Sequence, residues 1–348
     1  MLHRPPVALS ATWRTMRILI VKLSSLGDTL HALPTVAELK RQTGAEIHWA
    51  VQPEFLGMVE LFACVDRVLQ IPRKGNLRKR LRALRALRAE SYDLVVDLQG
   101  LLKSAIVARF ARSPRRIGPS FHREGSRIWY TEIAGLRDKS RHAVEECMDV
   151  LDLLGYERPM YTSFPLTMPE LPEFSPSVPY PRIAIAPRSR WRSKDWPVAH
   201  FAALARRLTL DLGAEIHLIG SAADRSTAET LASLADVPTQ NHCGEHSLGQ
   251  TCALLARMDA LVSNDSGPMH MAAVVGTPCV VLFGPTLPGR TGPYGPGHRI
   301  LRLGNCPPCR SKTCRRGEAV CLSQLAPGLV FEAVREVIEI TPPIRTRI

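Results

Sequence analysis

Short apolar runs alternate along the chain with segments in which apolar residues recur every three or four positions. The runs predict buried β-strands, four in each half of the chain, at residues 17–22, 46–51, 67–71, 92–97, 182–186, 215–220, 260–263 and 279–283. The segments between them predict helices, among them 198–212 and 248–258. Strands that alternate with helices indicate parallel sheets with right-handed crossovers, so the fold class is α/β.

The alternation stops between residues 157 and 181, where the chain carries seven prolines. Proline cannot donate a ladder hydrogen bond, so this stretch is typical of a linker. We predict two doubly wound domains that face each other across a cleft. Their bounds are 16–160 and 182–326, with a linker over 161–181, an N-terminal extension over 1–15 and a C-terminal helix and tail over 327–348. Whether the last helix packs back across the domain boundary is left open.

Polar loops follow two predicted strands of the second half. The strand at 260–263 runs into Asn264-Asp265-Ser266-Gly267-Pro268 and a small-residue helix, and the strand at 279–283 runs into Gly284-Pro285-Thr286. Ligands of open α/β sheets bind at the carboxyl ends of strands, and a helix that begins there attracts anions. Two ordinary tight turns are the alternative. Two such loops that carry Asp, Ser, His and Thr favour a nucleotide or phosphate site.

The first strand ends in a loop that contains a carboxylate, Ser24-Ser25-Leu26-Gly27-Asp28. An Asp on a strand–helix corner at the mouth of a cleft can reach a substrate proton, which makes Asp28 a candidate general base. The alternative is an Asp that serves as the N-cap of the following helix. Pro34 predicts that this helix is kinked or starts nearer Leu33.

A loop rich in cations and hydroxyl groups, residues 187–197, follows the strand at 182–186. Lys194 suits a pyrophosphate as a point charge, and Ser189 suits it as a neutral donor. The alternative is a solvated basic loop in which Trp196 forms a hydrophobic staple with the next helix.

Five segments in order resemble the ADP-heptose:lipopolysaccharide heptosyltransferases of glycosyltransferase family 9. They are KLSSLGDTLH at 22–31, DLQGLLKS at 97–104, SKDWP at 193–197, DSGPMH at 265–270 and FGPT at 283–286. The resemblance covers nearly the whole chain from Met16 to the last helix. The 97–104 segment is most similar to the heptosyltransferase I members, which add the first heptose to the Kdo-lipid A inner core.

The resemblance implies a GT-B fold, with two Rossmann-like domains, and an inverting transfer that requires no cofactor and no metal. The first domain would bind the acceptor, Kdo-lipid A, and the second the donor, ADP-heptose. Asp28 would take the acceptor proton, and Lys194 would stabilise the leaving phosphates. The implied donor contacts are Ser189, Arg190, Asp265, Ser266, Gly267, His270, Gly284, Pro285 and Thr286, and the implied acceptor contacts are Ser24, Ser25, Gly27, His31, Gln99 and Lys103. Many relatives carry a small residue where this chain has Arg188, so local phosphate contacts are expected to differ.

The net charge of +13 over 348 residues predicts an anionic partner. Residues 73–88 hold eight Lys or Arg residues, with Leu77, Leu81 and Leu84 on another helical face. Such a helix suits an anionic inner membrane or lipid A phosphates. A solvated charged face over core leucines is the alternative. Only 6% of the residues are aromatic, and the chain has no recognisable nucleic-acid module, so we expect no nucleic-acid partner.

The sequence contains no signal peptide pattern and no apolar run of about 18 residues, so we expect a cytoplasmic protein at the inner membrane face. Nine cysteines without an export signal argue against disulfides. Cys306, Cys309, Cys314 and Cys321 are dense enough to hold zinc, although their spacing is not that of a common zinc ribbon.

Alternatives to the heptosyltransferase I interpretation are heptosyltransferase II, a relative with another sugar or acceptor, and a sugar-nucleotide 2-epimerase of the same fold. A binding protein without enzymatic activity is a further alternative. The carboxylate loop fits an acceptor base better than it fits an epimerisation.

Overall fold

A computed structural model describes residues 15–73, 77–171, 181–304, 306–316 and 320–340. The first half forms a six-stranded parallel sheet in the order β3-β2-β1-β4-β5-β6. Its strands are β1 (Arg17–Val21), β2 (Glu46–Val51), β3 (Arg67–Gln70), β4 (Leu94–Asp97), β5 (Arg116–Pro119) and β6 (Glu132–Ala134). Its helices are α1 (Leu26–Thr43), α2 (Leu56–Val59), α3 (Leu77–Ala89), α4 (Leu102–Phe110) and α5 (Ala143–Leu154). We call this unit the first lobe.

The second half forms another six-stranded parallel sheet, in the order β12-β11-β10-β7-β8-β9. Its strands are β7 (Arg182–Ala186), β8 (Glu215–Leu218), β9 (Thr239–Asn241), β10 (Ala260–Asn264), β11 (Cys279–Leu282) and β12 (Arg299–Leu301). Its helices are α6 (Val198–Leu212), α7 (Arg225–Ala235), α8 (Leu248–Leu255), α9 (Gly267–Val274), α10 (Pro288–Thr291), α11 (Val320–Ser323) and α12 (Pro327–Ile340). We call this unit the second lobe.

Both sheets have the doubly wound strand order, in which the chain leaves the centre in opposite directions. The order reverses between β1 and β4 in the first lobe and between β7 and β10 in the second. Ligands of such sheets bind outside the carboxyl ends of the strands at this reversal. The central strands are fully buried because helices cover both faces, so their sequences are continuous apolar runs rather than alternating ones.

The two lobes pack against each other through α1 and α9. One apolar core runs continuously from the first lobe, with Ile18 and Leu33, into the second, with Leu261 and Met271. Helix α12 packs on α6 and on strand β11 of the second lobe. Among the helices of the described residues, none combines the length and the apolarity that a bilayer crossing demands.

All eight predicted strands are confirmed to within a few residues at their ends, and so is the α/β class. The four strands that the pattern missed, β5, β6, β9 and β12, are three or four residues long, and all of them lie at or next to a sheet edge. Runs this short carry no periodicity that separates a strand from a loop. Prolines 172, 176 and 179 of the predicted linker, and residues 1–14 of the predicted extension, lie outside the described residues.

Of the two alternatives that Pro34 left for α1, a kink or a start nearer Leu33, the second is wrong, because the helix begins at Leu26 and contains Pro34 in its interior. A proline there removes one backbone hydrogen bond. The capping interactions at Ser25 and the burial of Leu30, Leu33 and Val36 in the core hold the helix together across this gap.

The basic segment at 73–88 is helical from Leu77 onward, whereas residues 74–76 and the Leu77 side chain lie outside the described parts. Leu87 is buried and Leu84 packs against the core, while Leu81 remains 38% exposed. Arg82 and Arg85 point to solvent. The helix therefore covers core leucines and also presents a cationic face.

Candidate active site

The carboxyl ends of the central strands meet at a cleft of about 930 Å³ between the two lobes. Loops after β1, β7 and β10 form much of its wall, as the strand order requires. Both lobes contribute predicted site residues to the lining: Ser25, Gly27, Ser189, Arg190, Lys194, Asp265, Ser266, Gly267 and His270. The tertiary structure thus brings together side chains that are up to about 245 positions apart in the sequence.

Asp28 is not among the described residues that line the cleft, although it directly follows the lining residues Ser25 and Gly27 in the chain. It is the third residue of α1, and Ser25 is the N-cap. Oδ2 of Asp28 accepts hydrogen bonds from the Ser25 backbone N–H at 3.0 Å and from Ser25 Oγ at 2.8 Å. The alternative interpretation of Asp28 as the N-cap is therefore wrong in its position, since Asp28 is the reciprocal partner of the cap. These bonds fix its carboxylate at the junction of strand and helix.

Lys22 is a residue of this site to which the sequence interpretation assigned no role. Its side chain is buried, and its Nζ donates a hydrogen bond to the Leu98 carbonyl oxygen. Burial alone would raise the pKa of Asp28, but the Lys22 charge and the hydrogen bonds from Ser25 outweigh it and hold that pKa below its ordinary value. Asp28 is therefore ionised at neutral pH. The signal in the sequence was a lysine at the end of an otherwise apolar strand.

Gln99 connects the loop after β4 to the loop after β1. Its Oε1 accepts hydrogen bonds from the backbone N–H groups of Leu23 and Ser24, at 2.9 and 3.0 Å. Lys103, which is exposed, lies with its Nζ 3.4 Å from Ser24 Oγ. The predicted acceptor residues Ser24, Gln99 and Lys103 are thus neighbours in the first lobe, but none of them is among the described residues that line the cleft.

Lys194 and Asp265 form an ion pair in the second lobe, with 2.5 Å between Nζ and Oδ2. Thr286 Oγ1 donates to the same carboxylate oxygen. The ammonium group also lies 4.8 Å from the centre of the Trp191 ring. The resemblance implies separate roles for Lys194 and Asp265, whereas the structure pairs them. Asp265 therefore holds the Lys194 ammonium at the cleft wall.

The loop after β7 is held by its own polar side chains. Ser189 makes two hydrogen bonds within the loop: its N–H donates to Asp195 Oδ1 at 2.7 Å, and its Oγ donates to the Trp191 carbonyl at 2.8 Å. Arg188 pairs with Asp195 at 2.8 Å, so the residue that departs from the family pattern supports this loop while lining the cleft.

Trp196 packs edge-on against Phe201, with ring centroids 4.7 Å apart. Trp196 directly precedes Pro197, the N-cap of α6, and Phe201 is the fourth residue of that helix, so the staple expected for Trp196 is present.

Helix α9 begins at the cleft. Ser266 is its N-cap, and within the described part of the chain its side chain caps no N–H of the first turn. Ser266 and Gly267 both line the cleft. Open N–H groups and the positive end of the helix dipole favour a bound anion at this position.

Two glycines, Gly27 and Gly267, allow the lobes to approach each other here. A Cβ at Gly27 would lie 2.4 Å from Cδ2 of His270, and a Cβ at Gly267 would lie 2.8 Å from Cδ2 of Leu26. Each glycine therefore receives a side chain of the opposite lobe. This packing explains why both positions are glycine, an explanation that the sequence interpretation did not include.

Gly284, Pro285 and Thr286 are not among the described residues that line the cleft. Thr286 reaches the site through Asp265, and the Pro285 carbonyl accepts a hydrogen bond from the Arg310 N–H at 2.8 Å. Ser193 Oγ donates to the Ser311 carbonyl at 2.6 Å. The cysteine-rich segment after β12 thus contacts the loops after β7 and β11.

The zinc hypothesis for Cys306, Cys309, Cys314 and Cys321 finds no convergent ligand set in the described residues. The one group there whose ligand atoms lie within 4.8 Å of one another is His242, Glu245 and His246. Glu245 is already paired with Arg225 at 3.1 Å.

Two doubly wound parallel sheets that face each other across a cleft define the GT-B fold of glycosyltransferases. The chain belongs to glycosyltransferase family 9, the heptosyltransferases, whose pattern matches residues 80–320. It is therefore a glycosyltransferase, and the fold and family implied by the sequence motifs are confirmed.

Two curated relatives illustrate the similarity. Lipopolysaccharide heptosyltransferase 1 of Pseudomonas aeruginosa is 31% identical over 90% of this chain and 96% of its own length. Lipopolysaccharide heptosyltransferase 2 of Escherichia coli K12 is 28% identical over 83% of this chain and 88% of its own length.

Two solved structures have the same fold. Escherichia coli ADP-heptose lipopolysaccharide heptosyltransferase II superposes with a TM-score of 0.76 at 24% identity, covering 93% of this chain and 99% of that one. An Escherichia coli heptosyltransferase solved with ADP superposes with a TM-score of 0.75 at 26% identity, covering 92% of this chain and all of that one (100%).

Proposed function

We propose that this enzyme transfers L-glycero-D-manno-heptose from ADP-heptose to the Kdo-lipid A inner core, with inversion, in lipopolysaccharide core biosynthesis. The observation that carries the proposal is the cleft in which the Asp28 loop of the first lobe faces Lys194 and the start of α9 in the second. The curated relatives and the ADP-bound neighbour support the donor, and the 97–104 segment supports the acceptor.

The donor occupies the second lobe in this proposal. The diphosphate lies at the first turn of α9, near Ser266, Gly267 and His270, and the sugar hydroxyls contact Asp265. Arg190 and Ser189 border the same wall. As the bond between the anomeric carbon and the phosphate oxygen breaks, negative charge grows on the departing ADP. Lys194 and the helix N-terminus stabilise that charge in the transition state, so these groups supply positive charge without a metal or a cofactor.

The acceptor approaches from the first lobe. Its hydroxyl oxygen attacks the anomeric carbon from the side opposite the diphosphate, which inverts the configuration, and its proton passes to the Asp28 carboxylate. Asp28 is ionised and rigidly held, as a base requires. Ser24, Gln99 and Lys103 lie at the edge along which the acceptor enters.

A lipid-linked acceptor places the enzyme at the cytoplasmic face of the inner membrane. The exposed arginines of α3, among them Arg82 and Arg85, provide a cationic face for its anionic surface. Sedimentation with anionic vesicles tests this contact. The double variant Arg82→Glu with Arg85→Glu should lose most binding at low salt, and neutral vesicles should bind neither form. Equal sedimentation of both proteins with anionic vesicles would remove α3 from the contact.

The decisive assay measures ADP release from ADP-heptose with defined acceptors. Release that depends on Kdo-lipid A supports the proposal. Release only with an acceptor that already carries one heptose would assign the chain as a heptosyltransferase II, to whose members it is comparably similar. Isomerisation of the donor without acceptor would instead support a 2-epimerase.

A further inference from the structure

Two buried histidines meet across the lobe boundary. Nε2 of His31, on α1, lies 3.1 Å from Nδ1 of His270, on α9, and the rings are edge-to-face with centroids 4.6 Å apart. Burial lowers the pKa of His270 to about 4 and lowers that of His31 well below its ordinary value. Both imidazoles are therefore neutral at pH 7, and a single proton lies between the two nitrogens.

The position of that proton decides what His270 can do. If His31 Nε2–H donates, His270 Nδ1 is the acceptor and the His270 proton is on Nε2. If His270 Nδ1–H donates, its Nε2 carries only a lone pair, which repels an anion. The two arrangements have the same heavy-atom geometry but opposite consequences for a bound phosphate.

The other nitrogen of His31 distinguishes the two arrangements. His31 Nδ1 is buried and has no hydrogen-bond partner among the described residues. In the second arrangement this nitrogen would be an N–H with nothing to accept it, and buried N–H groups without an acceptor are rarer than buried acceptors without a donor. The first arrangement leaves only a lone pair there.

We propose that His31 is a positioning residue that holds His270 in the tautomer with its proton on Nε2, so that His270 donates a hydrogen bond to the diphosphate of the donor. This rests on the proposed function for the identity of the anion. His31 was expected to contact the acceptor, but it is not among the described residues that line the cleft, whereas His270 is.

The surroundings fix the ring of His270 at both edges. Nδ1 faces His31, and Nε2 lies beside Gly27, where a Cβ would come within 2.5 Å of it. Because His31 belongs to the first lobe and His270 to the second, the donor site acquires this N–H only when the lobes are together. The interlobe contact thus prepares the donor site.

The direct test is ¹⁵N NMR of the full-length protein labelled at histidine, at pH 7.5, with His270 identified by comparison with His270→Asn. We expect His270 in the Nε2–H form in the parent protein. His31→Gln should keep it there, because the glutamine amide can place an N–H donor near the original Nε2. His31→Leu should shift it toward the Nδ1–H form. A His270 that is Nδ1–H in the parent, or unchanged in His31→Leu, overturns the proposal.

Calorimetric titration with ADP provides the second readout. His31→Leu should weaken ADP binding about tenfold, as expected for loss of a hydrogen bond to a charged group, and His31→Gln should restore it to within about threefold. His48→Leu is the control for loss of a buried imidazole of the first lobe, since His48 bonds to Tyr92 and Glu46 instead; it should leave ADP affinity unchanged. Equal weakening in His31→Leu and His31→Gln would contradict the proposal. Failure of the parent protein to bind ADP would refute the proposed function and leave the NMR result standing.

Discussion

Lys194 and Asp265 are joined across the end of the second sheet by an ion pair of 2.5 Å. Lys194 comes from the loop after β7 and Asp265 from the loop after β10, the two strands at which the strand order reverses. The pair therefore sits where the fold places a ligand. Asp265 keeps the ammonium in the cleft wall, and in the proposed function the diphosphate of the donor competes with this carboxylate for it.

If the proposed function holds, Lys194→Ala should weaken ADP binding about tenfold or more and slow turnover as well, because the proposed contact of the ammonium with the phosphates is stronger in the transition state than in the ground state. Calorimetry with ADP and steady-state kinetics measure the two effects. Arg192→Ala, which removes an exposed cation from the same loop, is the matched control and should leave both unchanged. If Lys194→Ala and Arg192→Ala show the same ADP affinity and turnover, Lys194 does not bind the phosphates.

Asp28→Asn should reduce transfer by roughly 10²–10⁴-fold, the range for removal of a general base, while ADP affinity stays within about twofold. Asparagine can still accept the hydrogen bonds from Ser25, so the helix remains capped. Asp224→Asn is the control for stability, because Ser221 donates to Asp224 with the same pattern, at 2.9 and 2.7 Å. Asp28→Asn should lower the free energy of unfolding more than Asp224→Asn does, because it also removes the negative charge near the buried Lys22. Retained transfer in Asp28→Asn would exclude Asp28 as the base.

Gly27→Ala should separate the lobes, because the added methyl group would meet the His270 ring at 2.4 Å. We expect a loss of about 1–3 kcal/mol in the free energy of unfolding, together with reduced ADP affinity. Gly57→Ala is the control, since a Cβ at Gly57 would meet no described residue within 4 Å apart from its chain neighbours and the backbone of its own helix. Urea unfolding measures the free energy of unfolding of both variants, and calorimetry measures their ADP affinity. If Gly27→Ala leaves the free energy of unfolding and the ADP affinity unchanged, the packing of the two lobes does not depend on this contact.

The free energy of unfolding should fall as the pH decreases from about 6.5 to about 4. Burial lowers the pKa of His217 and of His270 to about 4 in the folded chain. The unfolded chain, with an imidazole pKa of about 6.5, therefore binds these protons first, and stability rises with pH over this window and is flat above it. The effect is up to about 3 kcal/mol for each imidazole.

Urea unfolding at a series of pH values measures this slope. His217→Asn removes one of the titrating groups and should make the slope shallower. A slope that is absent in the parent protein, or identical in the variant, would contradict the assignment of a lowered pKa to His217.

The sequence by itself determined the elements that are long and strongly patterned. The central strands are mostly apolar, because helices bury both faces of a parallel sheet, and polar residues concentrate at their carboxyl ends and in the loops that follow. The family and the main site candidates, Asp28, Lys194 and Asp265, could be found from these loops alone.

Only the tertiary structure decided how these residues are connected. The pairing of Lys194 with Asp265, the charge of Lys22 beside Asp28, and the contact of His31 with His270 join positions that are far apart in the sequence or carry no local pattern. Hydrogen bonds and ion pairs depend on distances of a few tenths of an ångström, and local periodicity contains no information about them. The strand order of the second sheet brings Lys194 to Asp265, and the packing of the two lobes at Gly27 and Gly267 brings His31 to His270.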